Sequence, residues 1–252
     1  MKYPLEQIDE RIVQVIELLE KNQAKDGGFR TLQKNPQLSD TETWRDEFPN
    51  AFLPANVLLP LTRIKNERAS RILERGFNYL LANKTPFGPW HYFKDRNAQY
   101  FIPFETDTNS LLSHIGTFLG KQTLPKNLFI SQLNDAGHFN LWFKPELLNF
   151  WSGPLTYMCI HRNWIKGLKS LPFRSGVVNR TDAEFCVTAN NLLFLGRTQE
   201  TELAVNRLCD ELESSDPIQL IYYPSQTIAH FLFARAGYYG KMGGLERANK
   251  AM

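Results

Sequence analysis

Arg75-Gly76-Phe77-Asn78-Tyr79-Leu80-Leu81-Ala82-Asn83-Lys84-Thr85-Pro86-Phe87-Gly88-Pro89-Trp90 is the stretch that decides how this chain is read. Its first half places Phe77 and Leu80 one helical turn apart, and its second half is a polar joint ending in Gly-x-aromatic. Glycine at such a joint lets the backbone reverse without a steric cost. The same grammar stands earlier in the chain. Ile8, Ile12, Val15, Ile16 and Leu19 fall on one helical face, the helix ends near Asn22, and Lys25-Asp26-Gly27-Gly28-Phe29 makes the turn. Ile16, Leu19 and Asn22 match Phe77, Leu80 and Asn83 at one constant offset, and so do the two turns. A weaker third copy puts Gly137-His138-Phe139 after Leu128 to Leu133. Recurrence of helix, joint and Gly-x-aromatic predicts stacked helical hairpins.

Further apolar segments carry start and stop signals. Asp107-Thr108-Asn109 is placed to cap a helix through Leu111, Leu112, Ile115 and Phe118, which stops at Gly120. Asp182 is placed to cap one through Phe185, Val187 and Leu192 to Leu195, which stops at Gly196. Pro224 suits the first turn of one through Ile228, Phe231 and Phe233, which stops at Gly237. Helices with one polar face are expected at about 6–22, 67–83, 122–133 and 199–213. More apolar ones are expected at about 51–64, 107–119, 183–195 and 225–236. The two kinds suit an outer layer wrapped around an inner one. Residues 134–181 read as loop with one short helix near 154–166. The β-prone run Gln219 to Tyr223 is isolated, and no strand system is legible. The expectation is an all-α chain forming one domain over residues 1–252.

Composition narrows the function classes. A net charge of +3, from 29 basic and 26 acidic residues, is too mild for a nucleic-acid surface. The locally basic stretch Arg162, Lys166, Lys169, Arg174, Arg180 reads as a solvated loop or, more sharply, as an anion contact. Three cysteines, Cys159, Cys186 and Cys209, do not suggest a disulfide framework. The opening Met1-Lys2-Tyr3-Pro4-Leu5 leads straight into an amphipathic pattern and does not read as a secretion signal, and no apolar run reaches the ~18 residues of a membrane span. The cytoplasm is the expected compartment. Aromatic residues make up 13% of the chain, enough to line an apolar cavity.

Arg75-Gly76-x-x-Tyr79-Leu80-Leu81-x-Asn83-x-Thr85-x-x-Gly88-x-Trp90 resembles the aromatic turn repeat of squalene–hopene and related class II terpene cyclases. Residues 13–29 resemble a looser copy, with Gln23 beside the usual glutamine position. The resemblance implies an α/α toroid of about eight to twelve helices, shared with protein prenyltransferase β-subunits. About eight helices read as an incomplete ring, leaving an apolar edge for a second copy or a partner protein to cover.

The resemblance also gives Pro103-Phe104-Glu105-Thr106-Asp107-Thr108-Asn109-Ser110 a meaning, because class II cyclases carry Asp-x-Asp-Asp-Thr at the head of an inner helix. Asp107 matches the proton donor, Glu105 matches the first aspartate, and Thr108 replaces the third. Protonating an alkene needs a carboxyl that keeps its proton, which an apolar cavity and a second carboxylate both favour. Glu105 is then expected to tune Asp107, with Thr108 and Asn109 hydrogen-bonded to it. Ring faces stabilise a passing carbocation by about 0.5–2 kcal/mol each. Trp90, Tyr92, Phe93, Tyr100, Phe101, Trp142 and Phe143 are the candidates to bind the substrate, an apolar isoprenoid or polyene. The plainer reading makes Asp107 a helix cap and those rings core.

No cofactor is implied by this chemistry. No Asp-Asp-x-x-Asp run is present to bind magnesium diphosphate. A weaker alternative is a zinc-dependent prenyltransferase-like enzyme with Asp182, Cys186 and His230 as ligands, since three protein ligands suit a catalytic zinc. The remaining alternative is a non-catalytic toroid that binds a hydrophobic ligand or a partner protein.

Overall fold

Each Gly-x-aromatic stretch closes the same small turn. In the computed structural model, Ala24 N–H donates to Gly28 O at 2.8 Å and Gly27 N–H to Ala24 O at 2.9 Å. Thr85 and Pro89, with Gly88, repeat the pattern at 3.2 and 3.5 Å. Asn134 and His138, with Gly137, repeat it at 2.9 and 3.0 Å. Bridges between Gln23 and Phe29, Lys84 and Trp90, and Leu133 and Phe139 close the three turns at one spacing. Gly27 needs to be glycine on two counts: its φ is 94°, and an added Cβ would lie 2.3 Å from Arg75 O.

The described residues are 5–29, 32–34, 44–46, 50–93, 101–121, 123–146, 153–176, 179, 181–214, 216–223, 225–240 and 242. The helices among them, with only two three-residue strands beside them, make the chain all-α. The chain divides into two compact units, Met1–Asn83 with Phe93–Asp95, and Lys84–Tyr92 with Arg96–Met252.

The first unit holds α1 (Leu5–Asn22), α2 (Phe52–Leu61) and α3 (Glu67–Leu81). The Asn66 side chain caps α3 by accepting from the Arg68 and Ala69 amides. Helix α3 packs on both α1 and α2. Gly76 admits Leu58 of α2, whose Cδ2 would stand 2.6 Å from an added Cβ. Gln23, just past α1, donates through Nε2 to Ile72 O at 2.9 Å and ties that turn to α3. The expected apolar face of α1 is only partly covered. Ile16 is buried, while Ile8, Ile12 and Val15 are exposed. A short antiparallel pair, β1 (Leu32–Lys34) and β2 (Trp44–Asp46), was not expected; three residues are too few to show alternation in a sequence.

The second unit holds α4 (Thr106–Phe118), α5 (Lys126–Ile130), α6 (Pro154–Leu168), α7 (Leu171–Arg174), α8 (Phe185–Leu195), α9 (Glu202–Glu213) and α10 (Gln226–Tyr239). Every residue of α8 is buried, as its apolar circumference requires, and it packs on α4, α9 and α10. Three expectations need correction. The helix expected over 122–133 is the five-residue α5, because the third turn starts at Leu133. The helix expected near 154–166 is α6, begun by Pro154, but the stretch read as loop after it also holds the unexpected four-residue α7. Helix α10 runs through Gly237 to Tyr239 and is capped by Gly240; one interior glycine costs only about 1 kcal/mol. Pro224 lies outside the described residues. No helix among the described residues is long and apolar enough to cross a membrane.

Candidate functional site

Three extended segments bring two helix starts together. Thr106 N–H donates to Leu141 O at 2.6 Å and Phe143 N–H to Phe104 O at 2.9 Å, while Leu141 N–H donates to Asp182 O at 2.7 Å. Residues 140–143 therefore lie between the segment entering α4 and the segment entering α8. Glu105 is the N-cap residue of α4 and Glu184 that of α8, and neither caps through its side chain. Two carboxyls thus enter the interior side by side with the helix starts.

Asp107 does not cap α4, contrary to the plainer sequence reading. The cap position belongs to Glu105, so Asp107 sits inside the first turn and reaches across the unit. It is 5% exposed. Its Oδ1 accepts from Asn190 Nδ2 of α8 at 2.5 Å, and its Oδ2 accepts from the Tyr223 hydroxyl at 2.5 Å. Asn190 Nδ2 also lies 2.9 Å from the Tyr223 oxygen, and Asn190 Oδ1 accepts from Arg235 of α10. One carboxylate is thereby joined to α8, to the segment before α10 and, through Asn190, to a buried arginine.

The expected partners of Asp107 are placed elsewhere. The Thr108 hydroxyl donates to Glu105 Oε1. Asn109 accepts from Trp90 N–H at 2.8 Å and donates to Trp90 O at 3.1 Å and to Glu105 O at 2.8 Å. It clamps the second repeat turn onto α4 by copying the pairing of a strand. Its amide is fully used there, which is why it does not serve Asp107.

Burial raises both carboxyls. The Glu105 pKa is pushed up to about 8 by loss of water, then by the charge of Asp107, against the opposing Thr108 bond. The Asp107 pKa is pushed up to about 6 by burial, with Glu184 adding to it and Tyr223, Asn190 and Arg235 pulling it down. Burial and the neighbouring carboxylate of Asp107 hold the Tyr223 hydroxyl well above its ordinary range, so it remains a donor. Burial lowers Arg235, although Asp107 opposes that shift.

A second acid lies at the start of α8. Glu184 Oε2 accepts from the amides of Ile221 and of Tyr222, the latter at 3.1 Å. Its buried Oε1 has no hydrogen-bond partner among the described residues. The Tyr222 hydroxyl donates to Asp182, which also accepts from Asn179 N–H at 2.7 Å. Asp182 therefore does not cap α8 either. Phe173, Asn179, Asp182, Ala183 and Ile221 line a pocket of about 570 Å³.

The expected ring lining is dispersed. Trp142 donates Nε1–H to Asn179 O at 2.8 Å and packs on Phe173 at 5.5 Å. Phe143 packs edge-on to Phe129 at 5.2 Å in the core. Trp90 is buried in its turn, and Tyr92 and Phe93 are half-buried. Phe101 lines a different pocket, of about 630 Å³. Tyr100 lies outside the described residues.

The zinc alternative is not brought together. Among the described residues no group of three or more His, Cys, Asp or Glu side chains could hold a metal ion. His230 Nδ1 lies 2.8 Å from Gln226 O, and Asp182 is held by Tyr222 and Asn179. Burial and nearby carboxylates push the Cys186 thiol far up, which disfavours the thiolate a metal requires.

Sequence reasoning did not find Asn190, Tyr223, Glu184 or Arg235. One signal was present. Arg235 is the single charge in Ile228-Ala229-His230-Phe231-Leu232-Phe233-Ala234-Arg235-Ala236, and a charge within an inner apolar helix calls for a buried partner.

No family model matches the chain, and no curated protein does. A crystal structure of a protein from Actinoplanes is similar, with a TM-score of 0.61 at 17% identity over 94% of this chain. The chain spans 61% of that protein's length. At this identity the likeness speaks for the fold.

Proposed function

We propose that the chain is a protonation-initiated catalyst of the class II terpene-cyclase type, with the Glu105–Asp107 pair as its acid. The observation that carries this reading is two buried carboxyls, Glu105 and Asp107, at the start of α4, where loss of water raises both above the ordinary carboxylate range. In the reaction the carboxyl O–H breaks and its proton forms a C–H bond at one alkene carbon. The other alkene carbon becomes cationic and is attacked by a second double bond of the same molecule. Loss of a proton from the product cation to water, and return of a proton from water to the carboxylate, close the cycle. Asn190 and Tyr223 hold the Asp107 oxygens, and Arg235 keeps the carboxylate left after transfer from being an isolated buried charge. The substrate class is an apolar isoprenoid or polyene. Cys159, Cys186 and Cys209 form no disulfide among the described residues, which suits a reducing cytoplasmic setting.

The test is incubation of the purified chain with unsaturated isoprenoids in D₂O. A cyclic product carrying one deuterium, absent with Asp107→Asn and Glu105→Gln, supports the reading. Equal turnover by both variants sinks it.

A second reading is a non-catalytic scaffold. It is favoured by the full engagement of both Asp107 oxygens and by the exposed Ile8, Ile12 and Val15 on α1, an edge that a second copy or a partner would cover. Sedimentation of the wild type against Val15→Lys separates the readings: dissociation of an oligomer by this change, with no turnover in D₂O, selects the scaffold.

A further inference from the structure

The pocket that contains Phe101 has a chemistry unlike that of the acid pair. Phe104 and Tyr157 share its wall with Phe101, and its volume of about 630 Å³ falls in the range that holds a small molecule. Helix α6 supplies the other wall. Met158, Arg162 and Lys166 recur at every fourth residue, which puts them on one helical face. Two basic side chains therefore line an aromatic pocket. His91 and His161 also line it, and no carboxylate does among the described residues. Among the described residues neither Arg162 nor Lys166 has an ion pair, and Lys166 Nζ lies 4.1 Å from the Phe101 ring centroid.

A second observation points to a missing acceptor. Asn163 is 6% exposed and lines the same pocket. Its Oδ1 accepts from Phe104 N–H at 2.8 Å, which fixes the amide's orientation. Its Nδ2 is left with no hydrogen-bond partner among the described residues. A buried donor without an acceptor is destabilising, and a ligand oxygen would supply the acceptor.

We infer that this pocket binds a small amphipathic anion: an apolar body between Phe101, Phe104 and Tyr157, with its carboxylate or phosphate head against Arg162, Lys166 and the Asn163 amide. Neither Glu105 nor Asp107 lines it, so the site is independent of the acid chemistry above. A carboxylate and a phosphate head share the recognition, and the experiment separates them.

Titration calorimetry of the full chain with dodecanoate, dodecyl phosphate and dodecanol provides the test. Either anion is expected to bind at least about tenfold more tightly than the alcohol, and the tighter one names the head group. Arg162→Gln with Lys166→Gln changes two exposed side chains, so the fold is retained. It is expected to bring the anion's affinity down to that of dodecanol and to abolish its salt dependence. Equal binding of dodecanol and both anions overturns the inference. So does unchanged anion affinity in the double variant, or no binding of any of the three.

Discussion

Tyr223 donates its hydroxyl hydrogen to Oδ2 of Asp107 at 2.5 Å, joining two residues 116 positions apart. The bond favours the ionised carboxylate, because that form accepts better than the acid. Tyr223→Phe is therefore expected to raise the Asp107 pKa further and to cost about 1–3 kcal/mol of stability, since it removes one partner of a buried bond. Urea unfolding at pH 7 measures the loss. An unchanged midpoint would show that the contact carries no weight.

Arg235 acts on Asp107 in the same direction and is buried at 8% exposure. Arg235→Met removes the positive charge while keeping the length of the side chain. The expected result is an Asp107 carboxyl that holds its proton to higher pH than in the wild type, measured by carboxyl NMR. A lowered pKa in this variant contradicts the electrostatic account.

Stability should depend on pH in a defined window. Glu105 is raised in the folded state from 4.5 to about 8, so the folded chain binds this proton more tightly than the unfolded chain. Its contribution is fully present below about pH 4.5 and is lost as pH rises through about 8. Glu105→Gln mimics the protonated form and is expected to flatten the profile between pH 5 and about 8, as read by denaturant unfolding at several pH values. A wild-type profile that rises across this interval while the variant's stays parallel to it speaks against a raised Glu105.

The proposed acid chemistry carries its own signature. General acid catalysis contributes about 100- to 10,000-fold, so Glu105→Gln and Asp107→Asn are each expected to lower turnover by at least about 100-fold. Wild-type turnover should fall as pH rises through about 8, when the pair loses its last proton. A rate that instead increases through that pH assigns the pair to base chemistry.

The repeat turns make a structural prediction. Gly27→Ala places a Cβ against Arg75 O at a φ of 94° and is expected to cost more than about 1 kcal/mol. Thermal unfolding followed by circular dichroism reads the change. An unshifted midpoint contradicts the reading of this turn.

The sequence showed its local grammar far better than its long-range pairing. The three turns were legible because Gly27, Gly88 and Gly137 each precede an aromatic by a fixed step, and the backbone bonds of such a turn close within seven residues. Helix α6 was legible near 154–166, where Pro154 opens it, while the four residues of α7 are too few to show a period. The acid pair was visible at Glu105 and Asp107, since the two lie at one helix start. Its setting was not. Asn190, Tyr223 and Arg235 come from elements far along the chain, and only tertiary packing of α4, α8 and α10 brings them to Asp107. Asn109 looked like a partner of the acid by proximity in sequence, yet helical geometry turns it towards Trp90.

The central claim is that one proton resides on the Glu105–Asp107 pair at neutral pH. The most direct measurement is a carboxyl ¹³C NMR titration of the full chain, with Glu105→Gln and Asp107→Asn used to assign the two signals. The account predicts two coupled transitions, one near pH 6 and one near pH 8, with one protonated carboxyl in the pair at pH 7. Two carboxyls that are both ionised by pH 5 would contradict it.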